Sequence, residues 1–215
     1  RYKRAVGGRF WERLPFKEDH TIVSARFLPD GRAEFRAGPD GKWRVTMEAD
    51  GRYERTEDRS PVGRPPAPEG LLSAELPGRS GRRFLAKPTA WGRLADGRWF
   101  VGTADSTFAL WNPKDGSVYS LGAVGAEGTV AAIGVSGDGK VAYAVCGDAE
   151  DLGHVVRYSP DRGLEDLGRV QFRNRGEVVF CNHVLTAIAV NGDGTKIAVG
   201  TGGRLACGIV YEFER

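Results

Sequence analysis

Three histidines, six tyrosines and a large complement of arginines are the groups in this 215-residue sequence whose types suit proton transfer. His183 is the candidate general base. A base of this kind needs a cationic neighbour to acidify the substrate and a tyrosine or second histidine close by. Tyr143, Arg82, Arg83 and Arg93 are the candidate companions, so the expected catalytic set is His183, Tyr143 and Arg93. The plain alternative for His183 is a hydrogen-bonded loop histidine. His154 stands just before the apolar run Val155–Ser159, and His20 sits in a charged stretch; both read as structural or solvated.

Recognition chemistry points to the same region. Arginines interleave with aromatic residues over Arg1–Arg13 and again over Arg82–Trp99. Such mixtures supply cation–π stacking and two-pronged contacts to carboxylate or phosphate. Arg82, Arg83, Trp91 and His183 are therefore the expected ligand-binding residues. The histidines are too far apart in sequence for metal-ligand spacing. Asp148, Glu150 and Asp151 fall in one short loop, which reads as solvated and acidic rather than as a calcium site. No metal and no cofactor are expected. Cys146, Cys181 and Cys207 form no C-x-x-C pair and read as small buried hydrophobes, with a disulfide between two of them open. No phosphate loop or serine nucleophile motif stands out, because the glycine-rich stretches lie between strands with no helix behind them.

These groups have to be positioned by a soluble, strand-rich chain. The sequence is 40% hydrophobic and 27% charged, an ordinary balance for a globular protein. No apolar stretch reaches the roughly 18–20 residues of a membrane-crossing helix. The net charge of +3 is unevenly spread: residues 1–100 carry 21 Lys and Arg against 14 Asp and Glu, and residues 101–215 carry 10 against 14. A basic first half suits an acidic glycan or an acidic protein partner. Nucleic acid is disfavoured, since there is no basic helix to enter a groove and no recognised motif. The chain begins at Arg1 with no charged segment leading into an apolar run, which leaves the compartment open.

Asp-Gly pairs recur at Asp30-Gly31, Asp40-Gly41 and Asp50-Gly51. Asp-Gly between alternating segments marks a hairpin, since both central turn residues need positive φ. Strands are expected at Thr21–Leu28, Arg32–Ala37, Lys42–Ala49 and Arg52–Glu57. Trp43, Val45 and Met47 share one face there, and Arg44, Thr46 and Glu48 the other, the pattern of a sheet wet on one side. Four prolines in Ser60–Gly70 exclude a strand and mark a linker or crossing loop. Short segments at Leu71–Glu75 and Arg82–Ala86 flank a Gly/Arg-rich turn.

From Pro88 a larger repeat begins. An apolar run, an Asp-Gly turn and a second apolar run occur at Ala90–Asp105, Ala131–Asp148 and Ala187–Gly203. The turns are 42 and then 55 residues apart, the extra length lying in Gln171–Asn182. Expected strands are Ala90–Leu94, Arg98–Thr103, Thr107–Asn112 and Ser117–Leu121. They continue with Ala131–Val135, Val141–Cys146, His154–Ser159 and Leu164–Val170, and end with Leu185–Val190, Lys196–Thr201 and Ala206–Phe213. Repeats of this length are small sheets that bury their faces on one another.

The residues Asp96–Thr103, Leu110-Trp-Asn-Pro113 and Gly116–Gly122, echoed by Asp138-Gly139, Val156–Pro160 and Leu164–Gly168, resemble blades of the β-propeller superfamily. The blades look more like the lyase-type, YVTN-like group than WD repeats, because Gly153-His154 has no Trp-Asp pair behind it. The resemblance covers about residues 85–215. It implies an all-β fold: a propeller or partial propeller of four-stranded antiparallel blades with an N-terminal β-meander. The third unit lacks a fourth strand, and Arg9–Leu14 is placed to supply it. At about 40–50 residues per blade the chain holds at most about five, so a small ring, an incomplete chain or a second chain completing the ring is expected.

The expected division is a strand and meander over 1–59, a Pro-rich linker over 60–70 and blades over 71–215. In propellers the start of a blade's first strand faces the central channel, which the resemblance extends to His183, with Gly128 and Ala86 at the matching positions. Three functions follow. The first is a scaffold binding a protein or glycan at the channel mouth or blade loops. The second is a lyase acting on an acidic polysaccharide by β-elimination, with His183 as base and arginines neutralising the uronate carboxylate. The third is a subunit of a larger assembly.

Overall fold

The computed structural model describes residues 6–9, 21–38, 40–47, 53–63, 65–79, 86–124, 128–147, 153–169, 171–174, 177–180, 184–202 and 208–212. Its strands are β1 (Val6–Arg9), β2 (Ile22–Phe27), β3 (Ala33–Ala37), β4 (Trp43–Met47) and β5 (Tyr53–Glu57), then β6 (Pro88–Arg93), β7 (Trp99–Thr103), β8 (Thr107–Trp111) and β9 (Val118–Ala123). These are followed by β10 (Thr129–Val135), β11 (Ala142–Gly147), β12 (His154–Ser159) and β13 (Gly163–Arg169), then β14 (Gln171–Asn174), β15 (Glu177–Phe180), β16 (Leu185–Val190), β17 (Lys196–Thr201) and β18 (Gly208–Glu212).

The strands assemble into four antiparallel four-stranded sheets: β2–β5, β6–β9, β10–β13, and β16–β18 with β1 added at the outer edge. The β14–β15 hairpin, within the extra length at Gln171–Asn182, pairs with itself. The last sheet confirms that the chain's start completes its end. The strand that does so is Val6–Arg9 rather than Arg9–Leu14, of which residues 10–14 lie outside the described residues.

Inner strands β6, β10, β16 and β2 follow one another side by side, each the first strand of its blade. The order by contact is β6, β10, β16, β2, so chain start and chain end meet in neighbouring blades. This is a partial β-propeller, and the N-terminal meander takes its place in the array as the blade beside β16–β18. Period-two alternation sends successive side chains to opposite faces of each blade, and each face finds its own partner. Phe100, Phe108 and Leu110 of the second blade pack on Ala144, Val156 and Tyr158 of the third. There the Phe100 ring stacks on Phe108 and on Tyr158, with centroids 5.3 and 5.2 Å away. Tyr143, Val145 and Val155 of the third blade meet Leu185, Ile188 and Ile197 of the fourth. Ile22, Phe35, Val45 and Met47 of the first meet Ala187, Ala189 and Ala198 of the fourth.

Every inner strand ends in the same turn. Gly31, Gly97, Gly139 and Gly194 have positive φ, and each donates its N–H to the carbonyl three residues back, on Leu28, Leu94, Ser136 and Asn191. The aspartate before each glycine accepts the N–H two residues on, from Arg32, Arg98, Lys140 and Thr195, at 2.9–3.1 Å. Asp30 is thus a fourth copy of the repeat seen at Asp96, Asp138 and Asp193. Three of the four turns also bond to one another: Ala95 donates to Gly139 at 3.0 Å and Asp138 donates to Gly192 at 3.3 Å.

Each inner strand also carries a bulge near its start, between Ile22 and Ser24, Pro88 and Ala90, Val130 and Ala132, and Leu185 and Ala187. Where the bulged residue is threonine, its hydroxyl reaches the next inner strand. Thr89 donates to the Val130 carbonyl at 2.7 Å and Thr186 to the Ile22 carbonyl at 2.6 Å.

Leu71–Ser73, within the short segment expected at Leu71–Glu75, forms a 3-10 turn. Gly70, at φ +82°, starts the turn and lets Leu71 drop into a core.

Close approach between blades depends on missing Cβ atoms. A methyl group on Gly102 would overlap Val130 of the next blade, whereas one on Gly192 would meet nothing within 4 Å. Gly102→Ala is expected to lower unfolding free energy by about 1–3 kcal/mol through overpacking. Gly192→Ala is expected to be near neutral, and thermal or urea denaturation of the two variants checks the contrast.

Candidate functional site

A cavity of about 380 Å³ runs where the four inner strands converge. Its walls are Val23, Ser24 and Ala25 of β2, Ala90 and Trp91 of β6, Ala131, Ala132 and Ile133 of β10, and Thr186, Ala187 and Ile188 of β16. The remaining wall is not a strand. It is formed by Val62, Gly63 and Pro65 of the proline-rich segment.

That segment is fastened at both ends, and its first fastening is a buried guanidinium. Arg36 on β3 is 8% exposed. Its Nε donates to the Gly41 carbonyl at 2.6 Å, and its Nη2 donates to the carbonyls of Asp58 at 2.6 Å and Ser60 at 2.8 Å. Its Nη1 donates to Asp58 Oδ2 at 2.7 Å and to the Ser60 hydroxyl at 3.3 Å. Every donor of the planar fork is used, which is what allows such a charge to be buried. Asp58 also pairs with Arg44 and accepts from the Ser60 hydroxyl.

The second fastening is apolar. Leu71 and Leu76 are fully buried against Val101, Ala109 and Trp111, on a face of the second blade that, among the described residues, no other blade covers. Polar bonds secure this strap beyond Leu76. Thr107 donates its hydroxyl to the Pro77 carbonyl at 3.0 Å. The Arg79 N–H donates to Asp105 Oδ2 at 2.9 Å, and its Nη2 donates to the Val124 carbonyl at 2.9 Å.

The sequence-selected residues fall in different places. Trp91 is on the channel wall, half-buried. Arg93 closes β6, opposite Trp99 in register, and is exposed. Tyr143 lies in the layer between the third and fourth blades, 2% exposed, and its hydroxyl donates to the Gly194 carbonyl at 3.0 Å. Burial raises its pKa, with only partial relief from Arg157, so the phenol keeps its proton. His183, Arg82 and Arg83 lie outside the described residues. Among the described residues no three His, Cys, Asp or Glu side chains are grouped to hold a metal, and no helix is long and apolar enough to cross a membrane. His154 does find a partner: its Nδ1 lies 3.1 Å from both oxygens of Asp166 across the β12–β13 pair.

A second recess, of about 350 Å³, lies on the polar face of the first blade. Arg26 and Arg44 converge there on buried Glu34, at 2.8 and 3.6 Å, so its charges largely answer one another.

Sequence reasoning missed Arg36, Val62, Pro65 and Thr186. A threonine at the bulge of two inner strands is a signal that alignment of the blades against one another could have found. An arginine in a half-wet strand carries none.

No family model matches the sequence, and no curated protein matches it. Solved structures do. Hydrazine synthase of Kuenenia stuttgartiensis is 12% identical with a TM-score of 0.41, over 89% of this chain and 46% of that one. The C-terminal WD40 domain of Sif2 is 14% identical with a TM-score of 0.43, over 89% of this chain and 45% of that one. The chain therefore spans less than half the length of either. The fold assignment rests on the blade topology and the shared channel.

Hydrogen bonds from the Ser60 hydroxyl and N–H, followed by Arg44 and Arg36, hold the Asp58 carboxyl far below its ordinary value of 3.8. A depressed carboxyl stabilises the fold fully above its unfolded pKa and loses that contribution as pH falls toward the folded one. Asp58→Asn is expected to melt lower than the parent near neutrality and to lose less on acidification to about pH 2, so that the two melting curves converge in acid. Parallel curves would remove Asp58 from the clamp.

Proposed function

We propose that the chain is a recognition scaffold that holds a protein partner on one face of the blade array. The observation that carries this reading is the unequal use of the two faces. Inner strands run in one direction, so the four connections that join one blade to the next begin and end on the same side: 10–21, 58–87, 124–128 and 170–184. The opposite side carries the short Asp-Gly turns, three of them bonded into a belt. Long connections on a rigid frame are where binding residues collect. Arg82, Arg83 and His183 belong by sequence to these connections, and the basic balance of the first half suits an acidic partner.

The lyase reading of the same residues keeps a definite test. It rests on the blade resemblance and on His183 acting beside Arg82 or Arg83. The described channel wall, from Val23 round to Ile188, offers no titratable side chain to share the work. The subunit reading draws only on the blade count.

Acidic and neutral peptide libraries presented to the immobilised chain separate these readings when run beside a polyuronate panel. The scaffold reading expects acidic peptides to bind, Arg82→Glu with Arg83→Glu to weaken them at least about tenfold, and added salt to do the same. It also expects no ultraviolet-absorbing unsaturated ends from any polyuronate. Unsaturated ends that vanish in His183→Ala would replace it with the lyase.

A further inference from the structure

We propose that β9, the outer strand of the second blade, is where two copies of this chain pair edge to edge into a closed two-fold dimer. The proposal uses the rim of the array rather than the loop face and does not depend on the reading of that face.

Each blade ends in an outer strand with a free edge of unpaired N–H and C=O groups, and proteins normally blunt such edges with charge or cover. Three of the four outer strands follow that rule. β5 carries Glu54, Arg55 and Glu57, β13 carries Glu165, Asp166 and Arg169, and β1 has β14 beside it. β9 reads Val-Tyr-Ser-Leu-Gly-Ala, with neither a charge nor a proline. Among the described residues no strand pairs with its free edge, and Tyr119 is 66% exposed. A bulge at Leu121 interrupts the ladder to β8 and leaves Val118–Ser120 as the regular stretch.

The ladder fixes which backbone groups point outward. The Asn112 N–H donates to the Ser117 carbonyl at 2.9 Å, and Val118, Tyr119 and Ser120 then pair with Trp111, Leu110 and Ala109. Bonded and non-bonded positions alternate in an antiparallel pair. Ser117 and Tyr119 therefore turn their backbone groups toward β8, and Val118 and Ser120 turn theirs to the free edge. A copy of β9 laid antiparallel, with the two-fold axis at Tyr119, sets Val118 opposite Ser120 of the second copy and Ser120 opposite its Val118. Each pair exchanges both of its N–H···O bonds. The two Tyr119 residues meet at the non-bonded position between, where side chains come closest, as an aromatic cross-strand pair.

Charge selects a second copy as the occupant. A two-fold axis brings a central residue against itself. On β5 the central residue is Arg55 and on β13 it is Asp166, so like charges would oppose each other. On β9 the residues near the axis are uncharged. Lys114 and Asp115 precede the strand, and Arg79, bonded to the Val124 carbonyl, lies at its end. Antiparallel pairing thus turns one charge of each sign toward Arg79 of the other copy. Both free edges are consumed, so the assembly closes at two copies.

Sedimentation equilibrium of the full chain from about 1 μM to 1 mM should show a monomer–dimer equilibrium. Ser120→Pro removes an outward N–H at no cost to the sheet, and Tyr119→Lys sets two ammonium groups against each other. Each should weaken the dimer at least about tenfold. Facing non-bonded positions lie within disulfide reach, so Tyr119→Cys should cross-link into a dimer on mild oxidation much faster than the parent chain. That cross-link decides the matter if melting curves show the other two variants unfolded. A chain monomeric at every concentration, open-ended growth, a dimer unchanged in both folded variants, or Tyr119→Cys cross-linking no faster than the parent would each overturn the proposal.

Discussion

An apolar blade face must be covered, and the architecture of this molecule follows from how each face meets that demand. Three interfaces are blade on blade. The remaining apolar face, on the second blade, has no blade beside it among the described residues and is covered by Leu71 and Leu76 of the strap. The corresponding face of the first blade is not apolar at all. It carries Glu34, Arg36, Arg44 and Thr46, answered by ion pairs and by the clamp on Asp58 and Ser60. The array therefore ends on one side in a polar face and on the other in a capped one, and a single segment of chain serves both.

The channel is a consequence of the same arrangement. Four inner strands meet at an angle that leaves a gap, and the strap crosses it. Bulges near the start of each strand turn the chain so that Thr89 and Thr186 can bond to the neighbouring blade while small residues face inward. The connections between blades lie on one face, and three of the Asp-Gly turns are bonded to one another on the other.

Much of this was legible in the residues. The Asp-Gly pairs predicted strand ends closely because turn chemistry is local, although only the glycine of each described pair, and not the aspartate as expected, takes positive φ. Runs such as Val141–Val145 and Ala187–Val190, apolar on both faces, read as strands of a sheet covered on both sides. Asp30-Gly31 was harder. Its spacing matched Asp40-Gly41 and Asp50-Gly51, and three equal turns describe a meander as well as a blade; only the contact between β2 and β16 gives the first one its place. The prolines excluded a strand over 60–70, yet nothing local tells that Val62 will line a channel or that Leu71 and Leu76 will serve as a missing neighbour. Arg36 carries no local mark in the sequence, and its burial depends on Asp58 and Ser60 more than twenty positions away. Tyr143, chosen for its chemistry, is held by packing and by a glycine carbonyl of the next blade.

If the strap does substitute for a blade, loosening it must be felt in the sheet beneath. Amide hydrogen exchange on Leu71→Ala, set against the parent chain, measures this directly. The account predicts faster exchange across Trp99–Trp111, with an overall loss of about 2–5 kcal/mol as for other emptied core sites. Faster exchange confined to residues 71–76, with 99–111 protected as before, would contradict it.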